Sequence, residues 1–81
     1  MLITVRLFAR LREIAGASEL ARAVPEGATA RAVWDQLAGE YPALGDYANA
    51  IPCAVNDEYA RLTTVVEEGD EVAFLPPVSG G

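Results

Sequence analysis

The chain holds no histidine and no lysine, and only one cysteine, one methionine and one tryptophan, among 81 residues. With no histidine, no CxxC pair and a single thiol at Cys53, nothing has the spacing of a metal site and no internal disulfide can form. A reducing, cytoplasmic setting is expected. No GxxxxGK[ST] loop or other phosphate cradle is present, so any ATP chemistry must belong to another protein. The opening MLITVRLF carries Arg6 inside its apolar run and lacks a small-residue cleavage site. Neither a signal peptide nor a membrane span is therefore expected, and the protein should be soluble. All six cations are arginine, against twelve carboxylates, and the formal net charge is −6. That balance repels a phosphate backbone, so nucleic acid is not an expected partner and a basic protein surface is a better one. The length suits one domain with a modest core and leaves no room for an enclosed active site.

What is present alternates and recurs. LITVRLF has period two, with Ile3, Val5 and Leu7 on one face and Thr4, Arg6 and Phe8 on the other, the pattern of a half-buried strand. ARLREIAG comes next as a short helical turn or loop ending near Gly16. ELARAV predicts a second strand over 19–24, whose buried face stays unassigned because Leu20 and Val24 share theirs with Arg22. Pro25, Glu26 and Gly27 break it, and Thr29 can cap a helix. Ala30, Val33, Trp34, Leu37 and Tyr41 recur at helical spacing, with Arg31, Asp35 and Glu40 largely opposite; Pro42 should end that helix. ALGDYANAI is read as irregular, PCAVN as a short third strand, NDEY as a polar reversal through Asn56 and Asp57, and YARL as a possible fourth strand. After a turn at Glu68, Gly69 and Asp70, EVAFL predicts the last strand, with Val72 and Phe74 on one face and Ala73 and Leu75 on the other. One helix can cover only one sheet face, so the expected class is α+β, a mixed sheet grasping one main helix.

Few residues outside the end of the chain invite a chemical role. Cys53 lies in a short apolar strand, where a cysteine is best read as a small buried hydrophobe rather than a persulfide carrier. Glu67, Glu68, Asp70 and Glu71 lack the ligand periodicity of a calcium loop and read as a solvated turn. Trp34 and Tyr41 should pack under the sheet. Phe8 and Leu75 differ: parity puts each opposite its strand's core face, on the sheet surface left open by the helix, and neighbouring exposed apolar residues mark an interface. After Leu75, Pro76 and Pro77 remove two backbone donors and force the chain out of the sheet. Val78, Ser79, Gly80 and Gly81 complete a short tail. The expected organisation is a domain over 1–75 and a flexible tail over 76–81.

FARLREIAG after the first strand, AVN in the third and GDEVAFLPPVSGG at the end, taken with the order of elements, resemble the small subunit family of molybdopterin synthase, whose fold is the ubiquitin-like β-grasp. The resemblance spans essentially the whole chain. It implies that Gly81 is adenylated by a separate ubiquitin-activating-like adenylyltransferase using ATP, and then converted to a thiocarboxylate. Gly80 would give clearance in a partner's tunnel. No cofactor would be bound to this chain. Sulfur would pass to cyclic pyranopterin monophosphate in the large synthase subunit, within an expected heterotetramer. The resemblance also matches Phe8, Tyr59 and Leu75 to positions that pack on that subunit; the face of Tyr59 does not follow from parity. Thiamine-type sulfur carriers and ubiquitin-like modifiers share the fold and the diglycine, and a plain binding module with an idle tail is a further reading. Having no lysine, the chain cannot build side-chain isopeptide polymers on itself, although single conjugation to other proteins stays open.

Overall fold

The computed structural model describes residues 1–47 and 51–77. Strand β1 (Leu2–Leu7) buries Ile3, Val5 and Leu7 and leaves Thr4 and Arg6 partly exposed, as the alternation requires. The chain then turns off the sheet at Ala9, whose φ of 50° lies in the left-handed region. From there it winds into a true helix, α1 (Ala9–Ala15), with Leu11 buried. Gly16, at φ 75°, ends it by donating its backbone N–H to the carbonyl of Arg12 at 2.8 Å. A residue without Cβ adopts that conformation at no steric cost.

Strand β2 (Glu19–Ala23) runs antiparallel to β1 and stops one residue short of the expected span. Its register, Ile3 opposite Arg22 and Val5 opposite Leu20, settles the face left open by the sequence: Leu20, Arg22 and Val24 lie on the core side. An arginine is tolerated there because it sits at the sheet margin, where its head reaches out to Glu40, 2.8 Å away. Helix α2 (Ala30–Glu40) begins at Thr29, whose hydroxyl accepts from the N–H of Ala32 at 3.2 Å. It buries Ala30, Val33, Trp34 and Leu37, while Arg31 and Asp35 pair on the outer side at 3.1 Å. Tyr41 closes the helix and is partly buried against the core.

Where irregular chain was expected, Pro42–Tyr47 forms a 3-10 helix that folds Leu44 into the core; Ala48, Asn49 and Ala50 lie outside the described residues. β3 (Cys53–Val55) and β4 (Glu58–Ala60) form a hairpin. Its two loop residues, Asn56 and Asp57, have φ of 51° and 68°, the signs that a two-residue type I′ turn demands. The fourth strand is thus three residues long and earlier than YARL. The tight turn starts pairing at Glu58, and the carbonyl of Leu62 is taken by the N–H of Arg31 at the head of α2, 2.9 Å away. β5 (Glu71–Phe74) pairs parallel with β1 and antiparallel with β3. The sheet order is β2-β1-β5-β3-β4, with α2 on one face: the mixed β-grasp arrangement.

The core lies between α2 and the inner face of β1 and β5. Trp34 and Phe74, both fully buried, meet with ring centroids 5.0 Å apart at 58°, a tilted contact that adds to the roughly 1.5 to 3 kcal/mol each large side chain contributes by burial. An alanine held at positive φ stores strain. Ala9→Gly should therefore raise the unfolding free energy by about 0.5 to 1 kcal/mol, since a non-glycine residue in the left-handed region costs about 1 to 2 kcal/mol and glycine gives part of that back as chain entropy. A denaturant titration checks it; a lowered midpoint would show that Ala9 gains more from its methyl than its backbone loses.

Candidate functional site

Pairing across the sheet builds the site. Parallel register sets Arg6 beside Ala73, antiparallel register sets Ala73 beside Ala54, and the hairpin sets Ala54 beside Tyr59. Residues directly opposite each other share a face, so this row crosses the sheet on the side away from α2. Tyr59, whose face the sequence left undetermined, stands 85% exposed on it. Phe8 and Leu75 lie just beyond the β1 and β5 members of the row, and together Phe8, Ala54, Asp57, Tyr59, Ala73 and Leu75 line one depression of about 210 Å³. The alanines leave room on the floor, and the larger side chains form the walls. That volume falls short of the roughly 300 to 1,000 Å³ usual for small-molecule pockets, and suits a partner's inserted side chain better than a cofactor.

Its walls are held in place. Phe8 is 38% exposed. Its ring lies 5.5 Å from the Arg6 guanidinium, which is also 3.5 Å from Glu71, so a cation–π contact and an ion pair act on the same head group. The N–H of Leu75 donates to the carbonyl of Pro52 at 3.0 Å, carrying the chain past the end of β5 along β3 before the prolines. Pro76 and Pro77, which follow the wall residue Leu75, are partly buried. Val78, Ser79, Gly80 and Gly81 lie outside the described residues. The structure therefore brings Phe8, Tyr59 and Leu75 together at the root of the tail. It adds Ala54, Ala73 and Asp57, which inspection for large exposed hydrophobes passes over. The alternation of EVAFL already places Ala73 with Leu75, and a two-residue turn at Asn56–Asp57 would have paired Tyr59 with Ala54.

The other candidates take structural roles. Cys53 is buried and its thiol donates to the carbonyl of Ala60 at 3.3 Å; desolvation raises its pKa, which disfavours the nucleophilic thiolate. The carboxylates of the 67–71 segment stitch the turn. The Glu68 carboxylate accepts from the N–H of Leu2 at 3.1 Å, and Asp70 accepts from the N–H of Glu67 at 2.8 Å and from the amide of Asn56 at 3.0 Å. Asn56 in turn accepts from the N–H of Glu71 at 2.9 Å. Among the described residues no group of three histidine, cysteine or acidic side chains could hold a metal ion, and no helix is long and apolar enough to cross a membrane.

Known proteins match this arrangement along its length. A profile described as the ThiS family matches residues 5–81. The chain is 38% identical to the molybdopterin synthase sulfur carrier subunit of Arabidopsis thaliana, over 98% of this chain and 82% of the relative. It is 37% identical to the protein of the same name from Chlamydomonas reinhardtii, with 100% of both covered. Among solved structures, the crystal structure of SAMP1, small archaeal modifier protein 1, from Haloferax volcanii superposes with a TM-score of 0.83 at 37% identity and full coverage of each chain. The fold is thus the ubiquitin-like β-grasp.

The raised thiol pKa has a testable sign. Below the ordinary thiol pKa of 9.0, folded and unfolded chains both keep the proton, and the thiol adds no pH dependence. Above it the unfolded chain releases a proton that the folded chain retains, so stability falls as pH rises. Cys53→Ala should cost about 1 kcal/mol at neutral pH through lost packing, and that deficit should shrink above pH 9.0, because alanine has nothing to titrate. Urea melts of both proteins across that range decide it; a constant difference would mean that Cys53 ionises freely in the fold.

Proposed function

The chain belongs to the ThiS family, and from that membership we propose that it is the sulfur carrier in the synthesis of molybdopterin. The observation that carries this is the end-to-end correspondence with relatives named for that role, joined to a sheet whose last strand delivers the chain through Pro76 and Pro77 toward Gly80 and Gly81. An ionised carboxylate is a poor electrophile. In the proposed cycle an oxygen of the Gly81 carboxylate attacks the α-phosphorus of ATP in an adenylyltransferase of the ubiquitin-activating kind, and pyrophosphate leaves. Hydrosulfide then attacks the acyl carbon and displaces AMP, so that a C–S bond replaces the C–O bond to the phosphate and a thiocarboxylate results. The tail enters the active site of a large synthase subunit, sulfur passes to cyclic pyranopterin monophosphate, and water restores the carboxylate. Two such deliveries make one dithiolene. Phe8, Tyr59 and Leu75 dock the folded part, Pro76 to Ser79 span the entrance, and Gly80 lets the end through a narrow passage. The cycle would run in the cytoplasm within a heterotetramer of two carriers and two large subunits.

The likeness to SAMP1 favours a second reading, a protein modifier. It shares the adenylate and diverges afterwards: a lysine amine rather than a sulfur nucleophile displaces AMP, and an isopeptide is left. Product mass separates the two. Incubated with cell extract and ATP, a carrier should gain about 16 Da on the free chain, oxygen exchanged for sulfur, and a variant lacking Gly81 should stay folded and gain nothing. Recovery of the chain only as isopeptide-linked adducts would overturn the carrier reading in favour of the modifier.

Docking is tested separately. Placing a charge among Phe8, Tyr59 and the alanine floor costs more than the roughly 1.5 to 3 kcal/mol lost with one buried apolar side chain. Leu75→Glu should abolish measurable calorimetric binding to the large subunit, and Phe8→Ala should weaken it at least tenfold, with thermal melts confirming that both fold. Unchanged affinity in the pair would place docking elsewhere and leave only the tail as the recognised element.

A further inference from the structure

The free edge of β2 is closed by side chains rather than by a neighbouring strand. Val24 donates to the carbonyl of Met1 at 2.8 Å, the Met1 ammonium donates to the carbonyl of Val24 at 2.8 Å, and Leu7 donates to the carbonyl of Ser18 at 3.0 Å. Antiparallel pairs alternate, so the backbones of Leu20 and Arg22 bond inward to β1 while those of Glu19, Ala21 and Ala23 face outward. Outward N–H and C=O groups invite another strand. Here two of the three outward carbonyls are already engaged. The Arg22 guanidinium donates to the carbonyl of Ala21 at 2.9 Å, and the Gln36 side chain on α2 donates to the carbonyl of Ala23 at 3.2 Å. Glu40, also on α2, holds the same guanidinium at 2.8 Å. Three side chains, two of them on the helix, thus strap one edge of the sheet.

We propose that Arg22 and Gln36 guard a latent pairing edge whose occupant, once they are removed, is a second copy of this chain. The self-complementarity of β2 identifies the occupant. A two-fold pairing about Ala21 places Ala21 opposite Ala21, Glu19 opposite Ala23 and Leu20 opposite Arg22, so no like charges meet. The outward-bonding residues Ala21 and Ala23 are exposed and small, and among the described residues the side chains that bond to their carbonyls are Arg22 and Gln36. At the other margin β4 has only three residues, of which Tyr59 alone directs its backbone outward, so it offers far less to pair with. Guarding β2 leaves the open face as the surface by which the chain meets other proteins.

The test replaces both donors while keeping their bulk or exposure, in the full-length chain carrying Arg22→Met and Gln36→Ala. Sedimentation velocity should move from the monomer toward a dimer at concentrations where the parent remains monomeric. Amide exchange should slow at Ala21 and Ala23 and stay unchanged at Leu20 and at the substituted position 22, whose N–H groups already bond to β1. Adding Ala21→Pro should restore the monomer, because its N–H faces outward and proline there leaves the β1 ladder intact. A folded double variant that stays monomeric overturns the proposal, as does association that persists with Ala21→Pro. If the double variant does not fold, Gln36→Ala alone frees the carbonyl of Ala23; unaltered exchange at Ala23 and an unaltered sedimentation coefficient at every concentration would then overturn it.

Discussion

The parallel pairing of β1 with β5 is the constraint on which the rest depends. It joins the first and last strands of the chain, and strict alternation then splits each into two functions. Val5 beside Val72 and Leu7 beside Phe74 face inward, where Phe74 meets Trp34. Arg6 beside Ala73, with Phe8 and Leu75 beyond them, faces outward, and Ala73, Phe8 and Leu75 line the depression. A register slip of one residue would exchange the two sets, exposing the core and burying Arg6. The pairing that stabilises the fold therefore also sets where the tail leaves and what surrounds its root.

Charge serves architecture more than chemistry. The 67–71 turn looks like an acidic patch in sequence, yet Glu68 and Asp70 satisfy backbone N–H groups that would otherwise have no partner, and Asn56 links the β3–β4 turn to the head of β5. Cys53, the sole thiol, is buried, and desolvation raises its pKa above the ordinary value. The described residues thus supply a folded platform with a shaped surface, and the reactive chemistry proposed for the chain falls to its end. The net charge of −6 should speed the approach of a basic partner in a salt-dependent way, while the apolar depression governs how long the complex lasts.

Much of this was legible wherever period and burial coincide. LITVRLF and EVAFL gave their buried faces by alternation alone, and Ala30, Val33, Trp34 and Leu37 marked the helix stripe. Local signals failed where a distant contact decides. The core side of β2 depends on its register with β1, because an arginine and two apolar residues share one parity. The 3-10 helix over Pro42–Tyr47 has no periodic run and exists to bury Leu44. Tyr59 could be placed only through the hairpin, whose loop residues, Asn56 and Asp57, tolerate positive φ and mark a reversal without fixing its length. The pair of guards on β2 was invisible, since a bond from Gln36 to the carbonyl of Ala23 arises from packing and not from either residue's neighbours.

The most direct test of the open face as the docking surface is a titration of isotope-labelled chain with unlabelled large synthase subunit, monitored by amide chemical shifts. Shifts should concentrate at Phe8, Ala54, Tyr59, Ala73 and Leu75, while Arg31 and Asp35 on the outer side of α2, and Ala21 and Ala23 on the guarded edge, stay in place. Shifts gathered on α2 or β2 with the open face unmoved would contradict docking through that face.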